Sequence, residues 1–329
     1  MFDSVRRTLH PAWYQGHGQG PPYFEGWYFK LVDPAGRRKI AVIPGIFKAA
    51  DPEEGHAFIQ ILDGRSGEAT YHAYSGDAFK AAERDLDVRV GRSRFTLDGV
   101  RLEVASEERS LTGQVDFAGL TPWPVRWSSP GVMGWFAWMP LMQTYHGVLS
   151  LDHAIQGSLV LDGERIDFDG GRGYIEKDWG HSFPEAWVWT QTNHFGREGT
   201  SLTVSIATIP WFWTSFRGFL IGLWHGGRLY RFATYTGARI EELVIDEDAV
   251  SLVVGDGTYR LSISAHGASG GVLRGPTGRD MLGRVPESLD GRVRVRLTAR
   301  RSGSSAVVFE GVGEHAGLEI VGDPDGLIS

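Results

Sequence analysis

Short runs in which apolar and polar residues alternate recur along the whole chain and constrain its fold more than any other feature. Such runs occupy 87–90, 101–104, 158–161, 203–206, 259–263 and 293–297. Alternation with period two sends successive side chains to opposite faces of a strand, one face dry and the other wet. Turn dipeptides punctuate the runs: Asp33-Pro34, Asp63-Gly64, Asp98-Gly99, Asp162-Gly163, Gly226-Gly227 and Asp256-Gly257. Strands this short, separated by turns this regular, predict an all-β chain of antiparallel barrels or sandwiches. The 45 glycines agree, because turns and bulges need backbone conformations that side chains obstruct.

The chain also repeats itself. Phe24-Glu25-Gly26-Trp27-Tyr28 returns as Pro184-Glu185-Ala186-Trp187-Val188, at an offset of 160. The stretch opening at Phe58 matches one opening at Phe219, at an offset of 161. RLEVAS from Arg101 matches RLSISA from Arg260, at an offset of 159. A length of 329 residues is ample for two cores of ordinary size, so an internal duplication predicts tandem domains over 1–180 and 181–329.

Composition and motifs remove several functions. The absence of cysteine excludes disulfides, thiolate metal sites and a cysteine nucleophile. The net charge is −7, and Arg292, Arg294 and Arg296 alternate as the solvated face of a strand would, so no nucleic-acid partner is expected. No HExxH, Walker loop or G-x-S-x-G elbow occurs, and Ser182 in Gly180-His181-Ser182-Phe183 lacks the second glycine. His146 and His153 come nearest to a ligand pair, but a spacing of seven fits no common pattern, so no metal is expected. No apolar run follows Arg6 and Arg7, and no stretch approaches eighteen apolar residues, which makes a cytoplasmic protein the expectation.

What remains is an excess of large aromatic residues, 12 Trp, 17 Phe and 10 Tyr, which a pocket for a large apolar ligand would use. Two segments combine them with acids. Alternation in the first puts Glu25, Trp27 and Phe29 on one face; in the second it aligns Glu185, Trp187, Trp189, Gln191 and Asn193. A carboxylate among indoles is desolvated, favours its neutral form and can act as an acid, while aromatic faces shield a cation. Glu25 and Glu185 equally suit a structural role, binding backbone N–H groups or an arginine. Glu176-Lys177-Asp178 reads by composition as a surface turn, yet it leads straight into Trp179-Gly180-His181 where the halves join. Asp178, then Glu25, then His181 is the order in which chemistry ranks the candidate catalytic acids. The candidate ligand-binding set is Trp27, Phe29, Trp135, Trp138, Glu176, Trp179, Glu185, Trp187, Trp189, Gln191 and Asn193. Trp135 and Trp138 belong to a charge-poor run that also holds Phe136, Met139, Leu141 and Met142. Residues 131–143 of that run fit a cap on a cavity, a packing element or a peripheral membrane contact.

These segments also carry a resemblance. YFEGWYFK is similar to the FFEGWYFK signature of tocopherol cyclases, and YIEKDWGHSFPEAWVWTQTNHF to their S-x-E-K-N-W-G-x-x-F-P-x-x-W-x-W-x-Q-x-N block. Leu273-Arg274-Gly275-Pro276-Thr277 resembles a third motif, L-R-A-P-T, and the likeness runs from about Tyr23 to Gly322. It implies two lipocalin-like β domains and cofactor-free cyclisation of a prenylated hydroquinone to a chromanol, with a lipophilic small molecule as the partner. Hydration of an isoprenoid double bond and simple carriage of an isoprenoid are the alternatives. Asp178 stands where the family pattern has Asn, and His181-Ser182 replaces a glycine pair, so substrate or reaction can differ.

Overall fold

The computed structural model describes residues 2–140, 142–196, 198–211, 213–267, 270–301, 304–323 and 325–328. They form two antiparallel sheets and divide into two compact units, 1–183 with 272–285 and 184–271 with 286–329. In the first sheet, Tyr23–Val32 lies between Lys39–Lys48 and Gly171–Gly180, and Gly171–Gly180 pairs in turn with Thr144–Leu161. In the second, Trp187–Thr192 lies between Thr200–Trp211 and Ser304–Val321, and Ser304–Val321 pairs with Gly283–Arg301. Each sheet therefore sets its opening strand beside its closing one, with meanders running outward on both sides. This is the all-β architecture that the alternation predicts.

The alternation also sets the cores. Along Gly99–Ala105, Val100, Leu102 and Val104 are buried while Arg101, Glu103 and Ala105 are exposed. Trp27, Phe29, Leu31, Ile40, Val42, Phe95 and Ile175 join that first core. Full burial of such side chains is worth about 1.5–3 kcal/mol each. Val188, Leu202, Val204, Ile221, Leu261 and Ile263 belong to the second.

Only one of the three repeat offsets preserves the inner face. At 159, Leu102 and Val104 match Leu261 and Ile263, all four inside their cores. At 160, Trp27 lies in the first core, but its counterpart Trp187 lies outside the second, where Val188 points inward instead. At 161, Phe58 lies outside the first core while Phe219 lies inside the second. A slip of one residue turns every side chain of a strand over, so the two aromatic-acid segments present opposite faces.

Candidate functional site

Strand Gly171–Gly180 divides its charges between two faces. Pairing sets Lys177 opposite Trp27 and Trp179 opposite Glu25, all facing the core, while Glu176 and Asp178 face the other way beside Tyr28 and Gly26. The run 176–178 is thus the middle of a strand rather than a surface turn.

The inner face holds a closed ion pair. Glu25 and Lys177 are both fully buried and bonded to each other. Glu25 also accepts from the backbone N–H groups of Gln15 (2.9 Å) and Gly16 (3.1 Å) and from the Tyr23 hydroxyl. The Lys177 ammonium donates to the Trp13 carbonyl at 2.8 Å and lies 5.0 and 4.7 Å from the ring centres of Trp27 and Trp179. Burial pushes the Lys177 pKa down, and the Glu25 charge recovers part of that shift. Burial, then the charge of Glu25, pushes the Tyr23 phenol well up. Four donors surround the Glu25 carboxyl group, which holds the segment around Trp13–Gly16 onto the sheet.

The outer face holds an open cluster. His146, on Thr144–Leu161, pairs in register with Asp178. Its Nδ1 lies 2.8 Å from Asp178 Oδ1, and its Nε2 lies 3.5 Å from Glu176 Oε2. The Tyr174 hydroxyl donates to Glu176 at 2.5 Å. Burial pulls the imidazole pKa down, but the charges of Asp178 and Glu176 outweigh it and raise the value to about 9. His146 is therefore an imidazolium at neutral pH, bracketed by two carboxylates. Glu176 is 6% exposed and Asp178 28%, so the proton-bearing group opens outward through Asp178. Ligand atoms of His146, Glu176 and Asp178 lie within 4.8 Å of one another, close enough for a cation. Each carboxylate faces a different ring nitrogen, however, so the donors bracket the ring instead of converging on one point.

Beside Asp178 the sheet is left bare by glycine. Gly26 pairs with Asp178 on one side and Gly45 on the other, and the Phe58 ring lies over Gly45. Phe24, Phe47, Ala49, Phe58 and Met281 form one buried apolar cluster rich in aromatic rings, with Ile43, Tyr71 and Phe183 packed against it. The segment 272–285 closes onto this face of the first unit. Gln60 exchanges hydrogen bonds with the Arg274 backbone (2.9 and 2.7 Å), and the Arg274 guanidinium lies 4.6 Å from the Tyr71 ring centre. Gly180 ends the strand at φ +147°, and a Cβ there would lie 2.3 Å from the Gln143 carbonyl oxygen, so the turn into 181–183 needs glycine.

The remaining candidates fall elsewhere. Trp27, Phe29 and Trp179 pack on the inner side, Trp179 stacked on Tyr145 at 5.5 Å. His181 is exposed, with Nδ1 2.8 Å from the Pro22 carbonyl oxygen. Glu185 is exposed and precedes its strand, so it lacks the desolvation expected of an acid among indoles. Trp187, Trp189, Gln191 and Asn193 belong to the second unit, where the Trp187 indole donates to Glu319 at 2.6 Å. Trp135 and Trp138 sit on a single 3₁₀ turn, and Leu141 lies outside the described residues. The sequence marks His146 only as half of a poorly spaced pair with His153, because its partner Asp178 is 32 residues away; the further signal is its place in the alternation of an acid-free stretch.

A sequence profile of the tocopherol cyclase-like family matches residues 96–322. A probable chloroplastic tocopherol cyclase from Oryza sativa subsp. japonica is 27% identical over 207 residues, and the chloroplastic tocopherol cyclase of Zea mays 30% over 202. Each match covers 58% of this chain and 42% of the plant protein, so the chain matches less than half the length of these relatives. Kievitone hydratase from Nectria haematococca shares the fold, with a TM-score of 0.53 at 14% identity over 94% of this chain and 92% of that one. The two units are thus lipocalin-like β domains. Among the described residues, no helix is long and apolar enough to cross a membrane.

Proposed function

The chain belongs to the tocopherol cyclase-like family, and from that membership we propose that it is an acid catalyst which protonates an alkene of a lipophilic isoprenoid, with a prenylated hydroquinone as the first substrate class. The observation that carries the reading is the imidazolium of His146 held between Glu176 and Asp178, beside an aromatic wall. His146 passes its Nδ1 proton to Asp178, and the Asp178 carboxyl gives it to one alkene carbon. A C–H bond forms, the π pair is consumed, and the tertiary carbon becomes cationic. The phenol oxygen closes the C–O bond, and its proton returns to the cluster, so the reaction is an isomerisation with no external reagent. Rings such as Phe58 and Tyr71 shield the cation, at about 1–2 kcal/mol per ring. Prenyl methylenes buried against the wall supply binding at roughly 0.8 kcal/mol each before ordering costs.

The test is incubation with a panel of prenylated hydroquinones in D₂O under anaerobic conditions, read by chromatography and mass spectrometry. The expected product is an isomer carrying one non-exchangeable deuterium. Asp178→Asn should lower its formation by about 100-fold or more while substrate still co-elutes with the protein. A product heavier by one water would assign the same protonation to a hydratase. Bound but unchanged substrate, with Asp178→Asn without effect, would make the protein a carrier. The absence of both turnover and binding across the panel would sink the reading.

A further inference from the structure

The stretch 117–151 contains no Asp or Glu in a chain with 40 of them, and its cations are Arg126 and the His146 already described. Within it, 123–139 builds a small platform with two distinct sides. Trp123, Val132 and Met133 are buried and root it in the first unit. Trp127 is 66% exposed, Trp135 45% and Val125 40%. The exposed rings are not loose: Trp127 packs on Trp138 at 4.9 Å, and Trp135 stacks on Phe136 at 4.1 Å.

Several backbone groups at the exposed tip of this platform are paired within it. Arg126 and Ser129 exchange both N–H···O bonds (3.1 and 2.9 Å), the Met139 N–H reaches the Phe136 carbonyl, and the Trp138 indole caps the Trp127 carbonyl at 3.0 Å. Backbone groups already paired can leave water at low cost, which a segment entering a bilayer interface requires. Tryptophan suits that depth, since its ring prefers the acyl boundary and its N–H the headgroup layer. The lack of carboxylates matters equally, because an acid would be repelled by anionic headgroups and costly to desolvate. We infer that 123–139 is a docking surface for a lipid bilayer, with Val125, Trp127 and Trp135 inserted to headgroup depth and Arg126 at the phosphate level.

The inference stands apart from the proposed chemistry, because its test needs no turnover. Full-length protein is floated with vesicles of phosphatidylcholine, alone and with one-fifth phosphatidylglycerol. Co-flotation with both is expected, together with quenching of tryptophan fluorescence by lipids brominated near the headgroup. Trp127→Ser and Val125→Asp should each weaken flotation at least tenfold with unchanged circular dichroism, and Trp127→Phe should restore part of it. Absence of wild-type flotation with either vesicle would overturn the inference. So would variants that float as wild type does. Sedimentation of the free protein as a dimer that Trp127→Ser dissociates would assign the surface to a second copy instead.

Discussion

Glu25 with Lys177 on one face of the first sheet, and Glu176 and Asp178 with His146 on the other, are built from the same strands and from adjacent residues. They are nonetheless electrostatic opposites. The inner pair is fully buried, and each group is saturated by fixed partners. The outer cluster leaves Asp178 partly exposed and spreads its charge over two carboxylates and one ring. A saturated buried pair organises structure, whereas a half-open group with a shared proton can do chemistry. The difference arises from the period of the strand, which sends neighbours in the triplet 176–178 to opposite solvents.

Breaking the inner pair should produce the largest effect on stability. Lys177→Met leaves the Glu25 charge buried without its partner, and a loss of about 3–5 kcal/mol is expected in urea unfolding. Adding Glu25→Gln should restore part of this, because the stranded charge is then removed. Asp178→Asn should do the reverse. Asp178 is 28% exposed, and the buried His146 can release its proton once that charge is gone. The replacement should therefore cost less than breaking the inner pair, about 1–3 kcal/mol at neutral pH, yet remove turnover as above. A variant pair behaving the other way round would exchange the roles assigned to the two faces.

The folded pKa of His146 provides a subtler contrast. Folding raises it from 6.5 to about 9, so the stability it contributes is complete below pH 6.5 and is lost as pH rises to about 9. The shift corresponds to roughly 3 kcal/mol at most. On the same strand, burial and then Arg172 depress His153 from 6.5 to about 3, so its contribution is complete above pH 6.5 and fades as pH falls towards 3. Urea midpoints measured from pH 4 to 9.5 should therefore decline at both ends, and His146→Gln should flatten the alkaline side alone. Turnover should hold through neutral pH and fall with a midpoint near pH 9, where the folded cluster loses its proton.

How much of this was legible in the sequence follows from which interactions are local. Alternation and turn dipeptides fix strands, because both depend on neighbours within a few residues. The separation of Lys177 from Glu176 and Asp178 is implicit in the same period. Which face is inner is not, since that depends on what the whole sheet encloses; hence Trp27 and Phe29 resemble pocket walls by composition but pack in the core. The repeat misleads similarly, because offsets of 160 and 159 look equivalent in sequence and differ by a full turnover of the strand. Strand pairing is non-local as well, so nothing near Asp178 announces His146.

The smallest predicted effect tests the floor beside Asp178. Gly26 and Gly45 pair directly, yet a Cβ at each meets different surroundings. At Gly26 the nearest atoms, Ile43 Cγ2, Phe58 Cζ and the Pro44 carbonyl oxygen, are all 3.8 Å away. At Gly45 the Phe58 ring would be only 2.2 Å away and the Glu25 carbonyl oxygen 2.8 Å. Gly45→Ala should therefore displace Phe58 and cost about 1–3 kcal/mol. Gly26→Ala should leave stability unchanged or raise it by ~0.4–1 kcal/mol, because the unfolded chain loses freedom. If ligand lies across Gly26 to reach Asp178, the added methyl should still raise KM about 10-fold, the low end of what one methyl is worth in an apolar pocket, with kcat little altered. Unchanged KM in a stable Gly26→Ala protein would move the ligand off this floor, and the aromatic wall would then be only core.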